Sequence, residues 1–162
     1  MAAKQTPATR AATRAGVSFA VHEYEHDPTT ESYALEAAGA LGVDPARVFK
    51  TLVVTLRDGF AVCIVPSDAT LDLRTLGKHS AMAPVERAER VTGYVAGGIS
   101  PLGQRRPLPT YLDDSATHFD TVFVSAGRRG LEIELAPDDL ISLTHATVEK
   151  LRRDTAADRR PR

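Results

Sequence analysis

The chain has 162 residues, of which 43% are hydrophobic and 25% charged, with a formal net charge of −1. That length suits one domain with one core, and the charge balance supplies no overall cationic field to draw the protein to nucleic acid or to a membrane. The single cysteine, Cys63, excludes a disulfide framework and any zinc site built from several thiolates. No stretch is apolar for long enough to span a bilayer. The Ala-, Thr- and Arg-rich start, Met1 to Ala15, lacks the apolar segment of a secretory signal, so the expected compartment is the cytoplasm.

In chain order, Met1 to Gln5 is expected to fray. Thr6 then caps a helix with Pro7 at its first position, running to about Ala15 and stopped by Gly16. Alternation from Phe19 to Glu23 predicts a half-buried strand, and Asp27-Pro28-Thr29-Thr30 predicts a turn. Ser32 or Thr30 caps a helix through Leu41, ended by Gly42, and Asp44-Pro45 starts a short turn. Lys50 to Leu56 is a β-branched and leucine run. It turns at Arg57-Asp58-Gly59-Phe60, where Asp-Gly tolerates the positive φ of a type I′ hairpin, and Phe60 to Val65 returns antiparallel.

Further on, Asp72 caps a helix over Leu73 to Lys78. Pro84 opens another, with Val85, Ala88 and Val91 on one face and Gly93 at its end. Gly97 to Pro109 has no usable periodicity and is a loop, ordered or disordered. Thr110 to Leu112, Thr121 to Ser125 and Leu131 to Leu135 read as strands, the last two joined by a hairpin-type turn at Gly127-Arg128-Arg129-Gly130. Asp138 to Leu143 and Val148 to Arg153 read as short helices, and Asp154 to Arg162 as a charged tail. Strands arriving as hairpins, without a regular strand-helix-strand repeat, favour an α+β fold built on a largely antiparallel, curved sheet with helices outside.

The chemistry centres on Lys50. On a strand it shares a face with Leu52, Val54 and Leu56. A cation on an apolar face belongs at the rim of a pocket, with its stem packed and its ammonium at the cleft. Gly97 and Gly98 let backbone approach a ligand closely, and their N–H groups are able to donate to a carbonyl or phosphate oxygen. Ser100 adds a hydroxyl and Pro101 stiffens the loop. Ser125 through Gly130, with Arg128 and Arg129, and the pair Arg105-Arg106 are candidate phosphate contacts or simply solvated cations. Cys63 lies in the apolar run Ala61 to Val65, where a thiol is inert packing rather than a nucleophile. His22 and His26 are four apart but fall on a strand and a turn, so they lack the geometry of a helical metal-binding pair. No metal and no cofactor is expected.

Taken together, several stretches resemble the YbaK family of aminoacyl-tRNA deacylases, related to the editing domain of some bacterial prolyl-tRNA synthetases. They are Tyr24-Glu25-His26-Asp27-Pro28, Val48-Phe49-Lys50-Thr51-Leu52, Leu71-Asp72-Leu73, Thr92-Gly93-Tyr94, Leu108-Pro109-Thr110, Val124-Ser125, and Gly130-Leu131-Glu132-Ile133-Glu134-Leu135. The most specific is Gly97-Gly98-Ile99-Ser100-Pro101-Leu102-Gly103-Gln104, which points to the Cys-tRNA(Pro) deacylase branch.

The resemblance implies a mixed, mainly antiparallel, barrel-like sheet with flanking helices. It also implies hydrolysis of the ester joining cysteine to the 3′ adenosine of mischarged tRNA(Pro), with Cys-tRNA(Cys) as a second substrate. Carried over residue by residue, Lys50 is the essential lysine, with Gly97 and Gly98 as backbone donors. Tyr24, Tyr33, Thr51, Ser100, Ser125, Arg128 and Glu132 fall on substrate-binding positions. Tyr33 stands where the family commonly has phenylalanine, Glu132 where it has aspartate, and Ala126 where it has glycine, so substrate preference is less constrained than reaction class. The implied partner is the aminoacyl end of tRNA, not DNA or a membrane, and the resemblance allows prolyl-tRNA synthetase as a second. The alternatives are a deacylase for another mischarged tRNA such as Ala-tRNA(Pro), and a non-catalytic tRNA- or synthetase-binding module.

Overall fold

A computed structural model describes residues 5–30 and 32–154; the expected tail beyond Asp154, and all but Gln5 of the expected frayed start, lie outside the described residues. Helix α1 (Pro7–Ala15) begins in a reciprocal cap. The Thr9 N–H donates to Thr6 Oγ1 at 3.1 Å, and the Thr6 N–H donates to Thr9 Oγ1 at 2.9 Å. Gly16 closes the helix in the left-handed region, the conformation a glycine C-cap supplies most readily. β1 (Phe19–Glu23) and α2 (Tyr33–Leu41) follow. Ser32 stands at the N-cap of α2 without a side-chain hydrogen bond.

The long hairpin is β2 (Phe49–Leu56) and β3 (Gly59–Pro66), paired from Phe49–Pro66 to Leu56–Gly59. Its two-residue loop is Arg57-Asp58, neither of which takes a positive φ, while Gly59 does at 156°. The turn is therefore not type I′; the glycine opens the returning strand instead of sitting in the loop. β4 (Ala81–Met82), α3 (Val85–Thr92) and β5 (Thr110–Asp113) come next, then β6 (Val122–Arg128), β7 (Leu131–Leu135), α4 (Pro137–Thr144) and β8 (Thr147–Glu149).

Two sheets form, β1-β7-β6 and β4-β2-β3-β5-β8. Four of the six strand pairings are antiparallel and two, β3 with β5 and β5 with β8, are parallel, so the sheet is mixed and mainly antiparallel. A parallel bridge from Val48 to Phe123 joins the sheets. The main core lies between them: Phe49, Val62, Ile64 and Leu112 from one sheet meet Val122, Val124, Leu131 and Ile133 from the other, with Ala8 and Ala12 of α1 and Leu140 of α4 closing the sides. The Lys50 face packs as read from sequence: Leu52, Val54 and Leu56 join Cys63, Val65, Leu71 and Leu151 in a second cluster.

Besides the turn type, three expectations are corrected. Val148 to Arg153 is not a helix, because Thr147–Glu149 pairs in parallel with β5 and Arg152 bridges Leu71. The segment is tied by Asp113, whose Oδ1 accepts from the N–H groups of Leu151 at 2.8 Å and Arg152 at 3.1 Å. The helix after Asp72 is a single tight turn, Leu73–Leu76. In α3, Ala88 and Val91 are buried but Val85 is 56% exposed, so the buried stripe begins one turn later. The Gly97–Pro109 loop is held in place. Its Leu102 is buried, the Leu102 carbonyl accepts from the Tyr94 hydroxyl at 2.5 Å, and the Arg105 N–H donates to the Thr92 carbonyl at 2.9 Å.

Candidate active site

A cavity of about 360 Å³ opens where the start of β2 faces the β6–β7 pair, α2 and the diglycine loop, a volume that suits a small-molecule-sized group. Phe49, Lys50, Thr51 and Leu52 form its β2 side. Lys50 is half-buried and makes no ion pair among the described residues. Burial pushes its ammonium pKa down, with the Asp68 charge opposing. Next to it, Thr51 Oγ1 is buried without a hydrogen-bond partner, a costly state unless something else fills it.

Ser125 and Glu132 stand directly opposite each other on β6 and β7 and line the facing wall. The Ser125 hydroxyl accepts from the Gly127 N–H at 3.1 Å, which steadies the bulge between Ser125 and Arg128. Glu132 is only 5% exposed, no described side chain or amide hydrogen-bonds its carboxyl, and burial pushes its pKa up to about 8. Tyr24 lines the cavity beside it; burial, then the Glu132 charge, pushes its phenol up to about 12.

Tyr33, at the first turn of α2, and Gly97 close the third side. The Arg129 guanidinium stacks 4.8 Å over the Tyr33 ring, a cation–π contact, and its Nε donates to the Ala96 carbonyl at 2.9 Å. Gly97 is wedged against both. A Cβ there would fall 2.5 Å from Arg129 Nε and 3.0 Å from Tyr33 Cε1, and its φ of +86° disfavours any other residue. Behind Tyr33, His26 Nδ1 and Glu36 Oε1 share a 2.9 Å hydrogen bond, and Glu36 Oε2 accepts from the Asp27 N–H. This ties the Tyr24–Asp27 stretch to α2.

The structure thus brings together Lys50, Thr51, Tyr24, Tyr33, Gly97, Ser125 and Glu132, and leaves three sequence-selected residues outside the lining. The Gly98 N–H donates to the Val95 carbonyl at 2.9 Å, and a Cβ on Gly98 would sit 2.6 Å from Arg128 Cα, so this glycine serves backbone packing. Ser100 is fully buried; its hydroxyl accepts from the Leu102 N–H and its carbonyl from Gln104 Nε2. Arg128 lies on the outer side, 3.4 Å from Glu23 Oε1, and lines a separate hollow behind Tyr24. Sequence reasoning did not assign Ser32, Ala34, Phe49, Leu52, Ala96 or Ile99 to the lining, and it named Arg129 only as a turn cation beside Arg128. Arg129 follows the last residue of β6, beyond the Ser125–Arg128 bulge that breaks strand alternation, so no sequence signal separates it from Arg128.

The remaining chemical candidates are engaged elsewhere. Cys63 is buried outside the cavity, and burial pushes its thiol up to about 12. His22 bonds Glu134 at 2.9 Å while His26 bonds Glu36, so the two histidines serve different carboxylates.

Comparison with known proteins follows the same outline. The aminoacyl-tRNA editing domain profile matches residues 27–143. The proposed Cys-tRNA(Pro)/Cys-tRNA(Cys) deacylase EbsC of Enterococcus faecalis (strain ATCC 700802 / V583) is 41% identical over 130 residues, which are 76% of this chain and 79% of that protein. A crystal structure of a proposed trans-editing enzyme for prolyl tRNA synthetase superposes with a TM-score of 0.79 at 29% identity, covering 93% of this chain and 99% of the other. The crystal structure of a hypothetical protein shares the fold at a TM-score of 0.81 and 23% identity, over 91% of this chain and 100% of that one. With that profile covering the cavity's walls from Ser32 to Glu132, the chain belongs to the aminoacyl-tRNA editing domain family.

Proposed function

We propose that the protein is a trans-editing deacylase that cleaves the aminoacyl ester of Cys-tRNA(Pro), and of Cys-tRNA(Cys) as a second substrate. The observation that carries this reading is the set of polar groups left without partners among the described residues around one cavity: the Lys50 ammonium, the Thr51 hydroxyl and the Glu132 carboxyl. Keeping such groups unpaired is destabilising, and a fold tolerates it where a ligand completes them. A charged adenosine terminus supplies matching chemistry. Its α-ammonium suits Glu132, its ester carbonyl suits the Gly97 N–H, and its ribose-phosphate suits Lys50 as a compact point charge. Tyr24, Tyr33 and Thr51 bound the side-chain space.

Among the described residues, none of the lining hydroxyls has a histidine or carboxylate hydrogen-bonded to it, so the site supplies position and electrostatics. The nucleophile is then the substrate's own thiol. Its sulfur attacks the ester carbonyl, the bond to the ribose oxygen breaks, the thiol proton passes to that oxygen, and water later opens the cyclic thioester. Prolyl-tRNA synthetase is the partner that presents the substrate, consistent with a chain whose net charge of −1 supplies no overall cationic field to hold tRNA by itself.

The test is deacylation of purified Cys-tRNA(Pro), Cys-tRNA(Cys), Ala-tRNA(Pro) and a serine-charged tRNA(Pro), with and without the synthetase. Rapid loss of cysteine with serine retained is the expected result. Comparable cleavage of the serine ester would remove the thiol from the mechanism, and tRNA binding with no cleavage of any ester would leave a binding module.

A further inference from the structure

A second hollow, of about 540 Å³, lies at the tip of the β2–β3 hairpin. Arg57, Lys78, His79 and Arg106 rim it, with Leu56, Phe60 and Leu108 among its apolar walls. The four basic residues come from three separate segments, and all four are exposed. None of them makes an ion pair or side-chain hydrogen bond among the described residues, whereas Arg47, Arg74 and Arg152 do. Among the described residues, Asp58 is the one carboxylate in the rim. On neighbouring α3, Arg87 stacks 4.8 Å over Phe60, and Arg105 reaches the Arg90 carbonyl at 3.4 Å. The nearby acids there are Glu86 and Glu89, and Glu89 is occupied by the Ala96 N–H at 2.8 Å. A chain of net charge −1 thus concentrates unpaired cations at one end of one hairpin.

The hollow is tied rigidly to the first cavity. Both ends belong to β2: Lys50 stands at its start, and Arg57 follows its last residue. Seven residues of extended strand place them about 20 Å apart. Ile99 lines the first cavity and Leu108 the second, and both pack on the same Val53, Ala88 and Val91 cluster. The two hollows therefore border one block of core.

We infer that the hairpin-tip hollow binds the sugar-phosphate backbone of the duplex end of the tRNA whose aminoacyl terminus occupies the first cavity. The inference rests on the deacylase reading for the position of that terminus. A tRNA ends in a short single strand before its first base pair, so its duplex necessarily lies some distance from the reacting ester. Cations without protein partners, set around a concave surface at a fixed offset, are what a phosphate backbone requires. An acidic segment of a partner protein is the competing occupant. The offset along β2 favours the RNA, because the substrate itself must continue past the first cavity.

The experiment measures binding of uncharged tRNA(Pro) across a salt series, using the full chain and the triple variant Arg57→Gln/Lys78→Gln/Arg106→Gln. A control of equal charge, Arg10→Gln/Arg14→Gln/Arg153→Gln, neutralises three exposed arginines elsewhere. The hairpin-tip variant is expected to bind at least tenfold more weakly, with the slope of log K against log salt reduced by about one for each phosphate no longer neutralised, while the control stays within twofold of wild type. Equal loss in both variants, or no loss in the first, overturns the inference. So does retained tRNA affinity with lost binding to prolyl-tRNA synthetase, which would assign the hollow to a protein. In parallel, cleavage of a cysteinyl ester on a CCA trinucleotide, too short to reach the hollow, is expected to be unchanged by the triple variant. Failure of the wild type on that short ester would count against the deacylase reading alone, since the tRNA-binding comparison needs no turnover.

Discussion

Two carboxylates among the described residues are buried, and the fold treats them in opposite ways. Asp113 is fully enclosed, yet it accepts from the Leu151 and Arg152 amides, the Ser115 hydroxyl at 2.6 Å and Arg152 Nη1 at 2.8 Å. Burial alone would raise its pKa, but these hydrogen bonds outweigh it and hold the carboxyl below its ordinary value. Glu132 is enclosed almost as completely and has no hydrogen-bond donor among the described residues, so burial drives its pKa to about 8. The first arrangement is a latch, closed by the protein itself around β8. The second is an open set of valences, in the cavity that also holds the unpaired Lys50 and Thr51. A buried polar group marks a site when the fold declines to satisfy it.

The sharpest way to break this contrast is through the latch. Asp113→Ala removes one partner of a buried ion pair and strands the four other donors, the Ser115, Leu151 and Arg152 amides and the Ser115 hydroxyl, and it is expected to cost about 3 kcal/mol of stability by denaturant unfolding. Turnover per folded molecule should be unchanged. Because the Asp113 pKa is depressed by folding, its contribution is present above the ordinary carboxyl range and is lost as pH falls through the folded value.

Gly97→Ala is next. With no room beside Arg129 and Tyr33 and a φ of +86°, the substitution displaces the cavity wall, and kcat/KM for Cys-tRNA(Pro) should fall by about 100-fold. The matching change at Gly16, where a Cβ meets nothing within 4 Å, should leave kcat/KM unaltered.

Glu132→Gln tests the other side of the comparison. A carboxyl whose folded pKa is raised costs nothing while both states are protonated. Stability then falls as pH rises, from the ordinary carboxyl range near 4.5 up to about 8, by at most about 1.4 kcal/mol per pH unit. The glutamine variant should lose that decline in urea unfolding between pH 5 and 8 and raise KM for the charged tRNA. A wild-type pH profile in this variant would mean that Glu132 is paired after all.

The smallest effect is expected at Cys63. Cys63→Ala should cost about 1 kcal/mol by opening a small void in the core, with turnover unchanged. Loss of turnover there would move the nucleophile back into the protein.

Local chemistry carries most of what the sequence reveals. The Thr6 and Pro7 start, the Gly16, Gly42 and Gly93 stops and the position of the β2–β3 turn each depend on residues within a few positions of one another, and each is legible. The misread parts depend on distant partners. Val148 to Arg153 has helical-looking spacing, but Asp113, more than 30 positions upstream, supplies the acceptors that hold it as a strand and a bridge. The same limit applies to the site. Lys50, Thr51, Gly97, Ser125 and Glu132 are visible as motif residues, yet only tertiary packing separates Gly97, which faces the cavity, from Gly98, whose amide is already used by Val95. Likewise Arg129, not Arg128, stacks on Tyr33.

The central claim is that the unpaired groups of the first cavity, and not the well-paired ones elsewhere, perform deacylation. Single-turnover hydrolysis of Cys-tRNA(Pro) by wild type and Lys50→Ala, at matched folded concentrations, tests it most directly. Removal of the cavity's ammonium is expected to cut the rate by at least about 100-fold with no change in the unfolding midpoint, whereas hydrolysis at the wild-type rate by Lys50→Ala would contradict the account.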